Sequence, residues 1–169
     1  MHRTQAARGT TLFVLLGPGL EAGVGPWLLT RTDVGGGGDW PAALRAAGVV
    51  LMVAGLAVLA GVLLRFVTHG AGTPSPAAPT TRLIVTGAYR HVRHPMYLAT
   101  ATVIAGEALA FAQPVLLGAA ALYLAALGTF GRLVEEPRLA RRFGPAYDAY
   151  RAAVPAWWPR LTPWRPPPA

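Results

Sequence analysis

Residues 96–131 read "MYLATATVIAGEALAFAQPVLLGAAALYLAALGTFG". They carry one charged side chain, Glu107, and one turn-forming pair, Gln113-Pro114. Proline cannot continue a helix through its own position, because it lacks the N–H and its ring clashes with the preceding turn. The stretch therefore reads as two apolar helices, 96–112 and 114–132, folded back on each other as a tight hairpin. A helix needs ~20 apolar residues to cross a bilayer, with ~17 as the lower limit, so each arm is short but sufficient.

Two more apolar runs lie upstream. Residues 46–64, "AAGVVLMVAGLAVLAGVLL", hold no charge, and residues 10–30 hold only Glu21. The expectation is an all-α, multi-span transmembrane helix bundle forming a single domain over 1–169. About four spans are expected, at 10–30, 44–66, 96–112 and 114–132. Composition agrees: 53% of residues are hydrophobic and 13% charged, where a soluble domain carries about 25% charged residues. A cleaved signal peptide is the competing reading of the first run. Gly17-Pro18-Gly19 breaks that run, and no small-x-small cleavage site follows it.

The formal net charge is +8, and all fifteen basic residues are arginine. Arginines flanking apolar runs read as topology signals and anionic-lipid contacts rather than as a nucleic-acid surface. Arg3 and Arg8 precede the first run. Arg65, Arg82, Arg90 and Arg93 lie between the second and third, and Arg132, Arg138, Arg141, Arg142, Arg151, Arg160 and Arg165 follow the last. The loop after the first run has Arg31 against Asp33 and Asp39, and the Gln113 turn has no charge. This distribution places both termini in the cytoplasm of a protein of the cell (inner) membrane. Trp27 and Trp40 then fall at the outer boundary, and Trp157, Trp158 and Trp164 at the inner one. Residues 76–82, "PAAPTTR", read as a linker, 133–160 as a cytoplasmic segment with an interfacial helix, and 164–169, "WRPPPA", as a frayed end. The chain has no cysteine, so thiolate chemistry and Cys-ligated zinc are excluded.

The hairpin has a consequence for chemistry. His94 lies 19 residues before Gln113 and Glu135 lies 22 after it, ~28 Å and ~33 Å along antiparallel arms. The polar stretch 87–99, "GAYRHVRHPMYLA", should therefore meet Glu135-Glu136 at the cytoplasmic face. Arg90, Arg93 and His94 suit a carboxylate or phosphate. The two acids suit an amine or ribose hydroxyls, and Tyr89 and Tyr97 offer rings to a base or a cation. S-adenosylmethionine carries all of these groups. A nucleotide fits less well, because no Gly-rich phosphate loop is present.

The run "LIVTGAYRHVRHPMYLA", followed after one hairpin by "EEPRLARRFGPAYDAYRAAVPAWWPR", resembles the isoprenylcysteine carboxyl methyltransferase family, which belongs with the phospholipid methyltransferases. The shared pattern is R-H-P-x-Y-x-G, a hairpin, E-E, then F-G-x-x-Y-x-x-Y, and it spans roughly residues 80–160. The resemblance implies a small membrane enzyme using S-adenosylmethionine. It implies cofactor contacts from Tyr89, Arg93, His94, Pro95, Met96, Tyr97 and Glu135, with residues 81–84 lying over the cofactor. Arg132 and Glu136, beside that contact, are the candidate catalytic pair. Two departures stand out. Ala99 replaces the usual glycine, and Gly131 stands where animal members carry an arginine, which puts prenylcysteine in doubt as the acceptor. The abundance of arginine favours carboxyl or thiol methylation of a lipophilic or membrane-associated acceptor. Phospholipid (ethanolamine) N-methylation is the alternative, and a non-enzymatic membrane interaction protein is the rival class.

Plainer readings stand beside several residues. His91-x-x-His94 with an acid is a weak metal pattern without cysteine, and no metal is expected. Arg82, Arg138, Arg141 and Arg142 read as headgroup anchors. Phe143, Tyr147 and Tyr150 read as an interfacial packing stripe. A carboxylate inside lipid is costly, so Glu21 and Glu107 are functional candidates by default. Glu107 can pair with Arg45 near the outer end. Glu21, near mid-membrane, has no assignment from sequence.

Overall fold

The computed structural model describes residues 17–31, 38–68 and 83–165. Every regular element among them is helical. A π-helical turn, Leu20–Val24, leads into α1 (Gly25–Thr30). The long helix α2 (Ala42–Thr68) follows. After a 3₁₀ turn at Gly87–Arg90 come α3 (Pro95–Ala110) and α4 (Val115–Phe130). A π-helical turn, Gly131–Glu135, joins α4 without a break to α5 (Glu136–Phe143). The last helix is α6 (Pro145–Ala153).

Among the described residues, two stretches are long and apolar enough to cross a membrane, Ala42–Phe66 and Val115–Phe143. The hairpin forms where expected. Ala112 takes a left-handed φ of 53°, and the Gln113 N–H bonds back to the Ala108 carbonyl at 2.8 Å. Two other spans differ from expectation. Helix α3 has 16 residues, ~24 Å of rise against a hydrocarbon core of ~30 Å. Of the segment 10–30, residues 10–16 lie outside the described residues, and the remainder holds only the π turn and the short α1. The expected boundary after residue 132 is also absent. The π turn lets the α4 helix run on to Phe143, and the chain reverses only at Gly144, with φ 52°. No single interfacial helix covers 133–160. Instead α6 buries Tyr147, Tyr150 and Val154 as a cluster against Leu139, Phe143 and Trp164.

The closest packing in the bundle is between α2 and α3, and small residues permit it. A Cβ on Gly106 would lie 2.7 Å from the Gly48 carbonyl oxygen and 2.7 Å from the Met52 backbone nitrogen. One on Gly55 would lie 2.8 Å from the Ala99 carbonyl oxygen. The backbones approach closely at these glycines, with the Met52 and Val103 side chains packed beside them, the arrangement of small residues that favours helix association in lipid. Ala99 is buried in this seam. Gly55 of α2 faces its carbonyl oxygen, and Ala99 packs in a buried cluster with Leu59 and Val103. Arg45 does not pair with Glu107. It donates from Nε to the Ala110 carbonyl at 3.1 Å, capping the end of α3, while the Glu107 Oε2 is buried without a hydrogen bond.

Gly106→Val should destabilise the protein by about 1–3 kcal/mol through overpacking. Thermal melting in detergent measures it. Gly118→Ala is the control: it meets nothing within 4 Å, and should melt at or slightly above the parent temperature, as a helical glycine-to-alanine change does.

Candidate functional site

The motif 87–99 and the acids 135–136 meet as the hairpin arithmetic requires, with His94 at the junction. His94 caps α3, and Pro95 at the first helical position carries the φ that a helix start needs. The imidazole is buried, with 5% of its residue surface exposed. Its Nε2 lies 3.2 Å from Glu136 Oε1, and its Nδ1 lies 3.5 Å from Glu135 Oε2. Adjacent residues on an α-helix diverge by ~100°. Here the wider π turn that ends at Glu135 reduces that divergence, so both carboxylates reach one ring.

The imidazole also packs near-parallel with two aromatic rings that lie 6.5 Å from each other. Tyr97 stacks at 5.4 Å between ring centroids and Trp157 at 4.9 Å. A Cβ on Gly131 would stand 3.1 Å from His94 Cε1. A Cβ at that distance asks the ring to give by a few tenths of an ångström, so a larger side chain at 131 would crowd His94. Tyr97 donates its hydroxyl hydrogen to Glu135 Oε2 at 3.0 Å. Arg93 Nη1 lies 3.1 Å from Glu136 Oε1 in a mostly buried ion pair. Its Nε and Nη1 hydrogens find no well-aligned acceptor, so the contact is coulombic more than directional.

These groups border a cavity of about 450 Å³, within the range of small-molecule sites. Of the expected cofactor residues, Tyr89, Arg93, His94, Met96, Tyr97 and Glu135 line it. Pro95 does not, and acts as the helix start. Glu136 stands behind the lining, holding Arg93 and His94. Arg132 is exposed and borders a separate groove with Leu98, Trp157 and Trp158, because Gly131 is the residue of that turn that faces His94. Of residues 81–84, Leu83 and Ile84 line the cavity, and 81–82 lie outside the described residues.

Several lining residues escaped sequence reasoning. Arg138 and Arg142, read as lipid anchors, border the cavity, as do Tyr147 and Tyr150. The helical spacing from Glu135 to Arg138 and Arg142 was the available signal. At the membrane end stand Glu21, Thr100 and Tyr123, and the Tyr123 hydroxyl donates to Glu21 Oε2 at 2.9 Å.

Two motif residues face elsewhere. Arg90 Nε donates to the Trp164 carbonyl at 2.6 Å, and the Trp164 N–H donates to the Arg90 carbonyl at 2.9 Å. The His91 Nδ1 lies 2.8 Å from the Arg160 carbonyl, away from His94 and the acids. The tail thus laces over the motif. The Arg93 N–H bonds the Pro155 carbonyl, the Arg160 N–H bonds the His91 carbonyl, and the Tyr150 hydroxyl donates to the Tyr89 carbonyl at 2.7 Å. Trp164 is held in place, and of the expected frayed end only 166–169 lie outside the described residues.

The tyrosines of this region stay neutral. Burial, with Glu136 nearby, pushes the Tyr147 phenol up to about 12. Burial raises Tyr150 further, with Tyr147 adding to it, and raises Tyr89 with Glu135 adding to it.

The model of the phospholipid methyltransferase family matches residues 44–146. No curated protein and no solved structure gives a match.

Gly131→Ala should push the His94 ring off its seat and weaken its contacts with Glu135 and Glu136. Near-ultraviolet circular dichroism of the Trp157 stack reports the displacement. A second expectation concerns pH. A phenol whose folded pKa is raised stabilises the fold fully below the ordinary value of 10.0 and loses that contribution as pH rises through about 12. Phenolate absorbance should therefore show a late-ionising class of tyrosines, coincident with loss of tertiary structure.

Proposed function

The chain belongs to the phospholipid methyltransferase family, and we propose that it is a membrane-embedded enzyme transferring a methyl group from S-adenosylmethionine to a lipophilic, membrane-associated acceptor. The observation that carries this reading is the convergence of His94, Tyr97 and Glu135 on one cavity of about 450 Å³ at the junction of the motif and the acids. The donor set suits the cofactor. Glu135 can accept from ribose hydroxyls or an amine, Arg138 and Arg142 can meet a carboxylate, and the rings of Tyr89 and Tyr97 can pack on a base. Bound there, the cofactor supplies an activated methyl on a sulfonium with its own leaving group. The chain has three tasks: to hold the acceptor in line, to exclude water, and to keep the charges around the reacting centre fixed. Glu136 contributes by fixing Arg93 and His94. His94 in turn fixes the position of Tyr97 and Glu135.

A carboxylate or thiolate acceptor was favoured by the arginines of the motif. Arg90 is engaged with the Trp164 carbonyl and Arg93 with Glu136. Arg138 and Arg142 still supply positive charge to the cavity, and they keep that reading supported. The acids Glu21 and Glu135, which line the same cavity, support an amine-bearing lipid as the acceptor. For topology, we infer four crossings with both termini cytoplasmic. The supports are the two long helices, the apolar character of α3 and of residues 10–30, and the distribution of arginine.

Calorimetric titration of S-adenosylhomocysteine into detergent-purified protein should show binding. His94→Ala and Glu135→Ala should each weaken it about tenfold or more. Tyr97→Phe should weaken it about 2–10-fold, the loss of one hydrogen bond. No binding by folded wild-type protein would move the reading to an interaction module, and normal binding by all three variants would displace the cofactor site. The absence of native cysteine makes topology directly testable. Asp39→Cys should react with an impermeant maleimide in intact cells, and Asp148→Cys only after the membrane is opened.

A further inference from the structure

Glu21 is the charged group that neither the motif nor the family pattern accounts for. It lies on the π turn Leu20–Val24, which packs on the bundle through Ala22 against the buried clusters of α2, α3 and α4. Leu20 and Val24 on the same turn are 43% and 45% exposed and face outward. Glu21, about a quarter-turn round from Leu20, lines the cavity. Among the described residues no arginine or histidine pairs with it. Its one hydrogen-bond donor is the Tyr123 hydroxyl, at 2.9 Å.

A carboxylate at this depth is expensive to keep. A phenol donor offsets part of that cost but leaves the charge and most of the acceptor capacity unused. Beside it stands a second unused acceptor. Thr100 is fully buried at 0% exposure and lines the same cavity, and its hydroxyl stands beside the Tyr123 phenol as a donor, which leaves the Oγ1 lone pairs unmatched. Glu21, Thr100 and the Tyr123 ring therefore form a pole with negative charge, two acceptor groups and an aromatic face, enclosed by apolar walls. An ammonium presents positive charge and N–H donors, and binds aromatic faces. An anionic head placed there would meet an uncompensated like charge.

We propose that Glu21, held by Tyr123 and joined by Thr100, is the specificity-determining pole of the cavity and selects an acceptor with a cationic amine head over one with an anionic head. The assignment rests on the methyltransferase reading for its role, but its test does not depend on turnover. Leu127 also lines the cavity, so Leu127→Cys supplies a single thiol there. Its reaction with N-ethylmaleimide should be slowed by octylammonium about tenfold more than by octanoate, which has the same chain and the opposite charge. In Glu21→Gln that preference should fall to within about twofold, and Glu21→Asp should restore part of it. Tyr123→Phe should reduce it several-fold, and serves if Glu21→Gln does not fold. Equal protection by the two amphiphiles, stronger protection by octanoate, or an unchanged preference in folded Glu21→Gln overturns the assignment. Titration of S-adenosylhomocysteine separates the two readings. Cofactor binding without charge preference removes only the Glu21 pole, whereas charge preference without cofactor binding removes the enzyme and leaves the pole.

Discussion

The burial of one imidazole organises this molecule. His94 is held at its ring nitrogens by two carboxylates, packed near-parallel with the Tyr97 and Trp157 rings, which also lie against each other, and seated on the bare backbone of Gly131. Each contact comes from a different part of the chain. The acids come from the π turn and the start of α5, Tyr97 from the first turn of α3, and Trp157 from the tail. A polar ring in such a place is tolerable only when its nitrogens are matched. The match requires the hairpin arms to have equal reach, the π turn to narrow the angle between adjacent acids, and the tail to fold back. Disturbing any one of them leaves buried charge without its partner, and that is more damaging than the loss of a single contact.

The second constraint is the seam between α2 and α3. Its glycines let backbone approach backbone, and the motif stands at the foot of α3, one of the two helices so packed. Helix α4 then needs only to pack on a finished pair. Positions on packed helices drift less than positions on loops, and the cavity-lining residues of α3 are placed in this way.

Much of this was legible in the sequence, and the reasons are physical. Lipid forces helices, proline stops them, and 1.5 Å per residue fixes where two arms of a hairpin end level. From that alone His94 and Glu135 had to be neighbours. Other features depend on tertiary context that no local pattern carries. A π turn has no residue signature comparable to a proline or a cap, so the continuation to Phe143 and the shared reach of Glu135 and Glu136 were hidden. Arginine 90 looked available because its partner, the Trp164 carbonyl, is a backbone group 74 residues away, and every residue has a carbonyl. Arg138 and Arg142 are amphipathic side chains at a boundary, where lipid and cavity are equally good neighbours until the packing is known. Glu21 was visible as an anomaly, yet its partner Tyr123 is 102 residues distant.

The lacing of the tail over the motif has an implication for how the protein comes into being. Residues 155–164 supply or receive the hydrogen bonds that close over Arg90, His91 and Arg93, and Trp157 forms one wall of the histidine stack. They are translated after every helix. While the ribosome is still feeding helices into the bilayer, the polar motif waits at the membrane face with its last covering segment unmade. Integration of the helices and completion of the pocket are therefore separate events in time. A nascent chain halted between them would be fully inserted and still unable to hold a ligand.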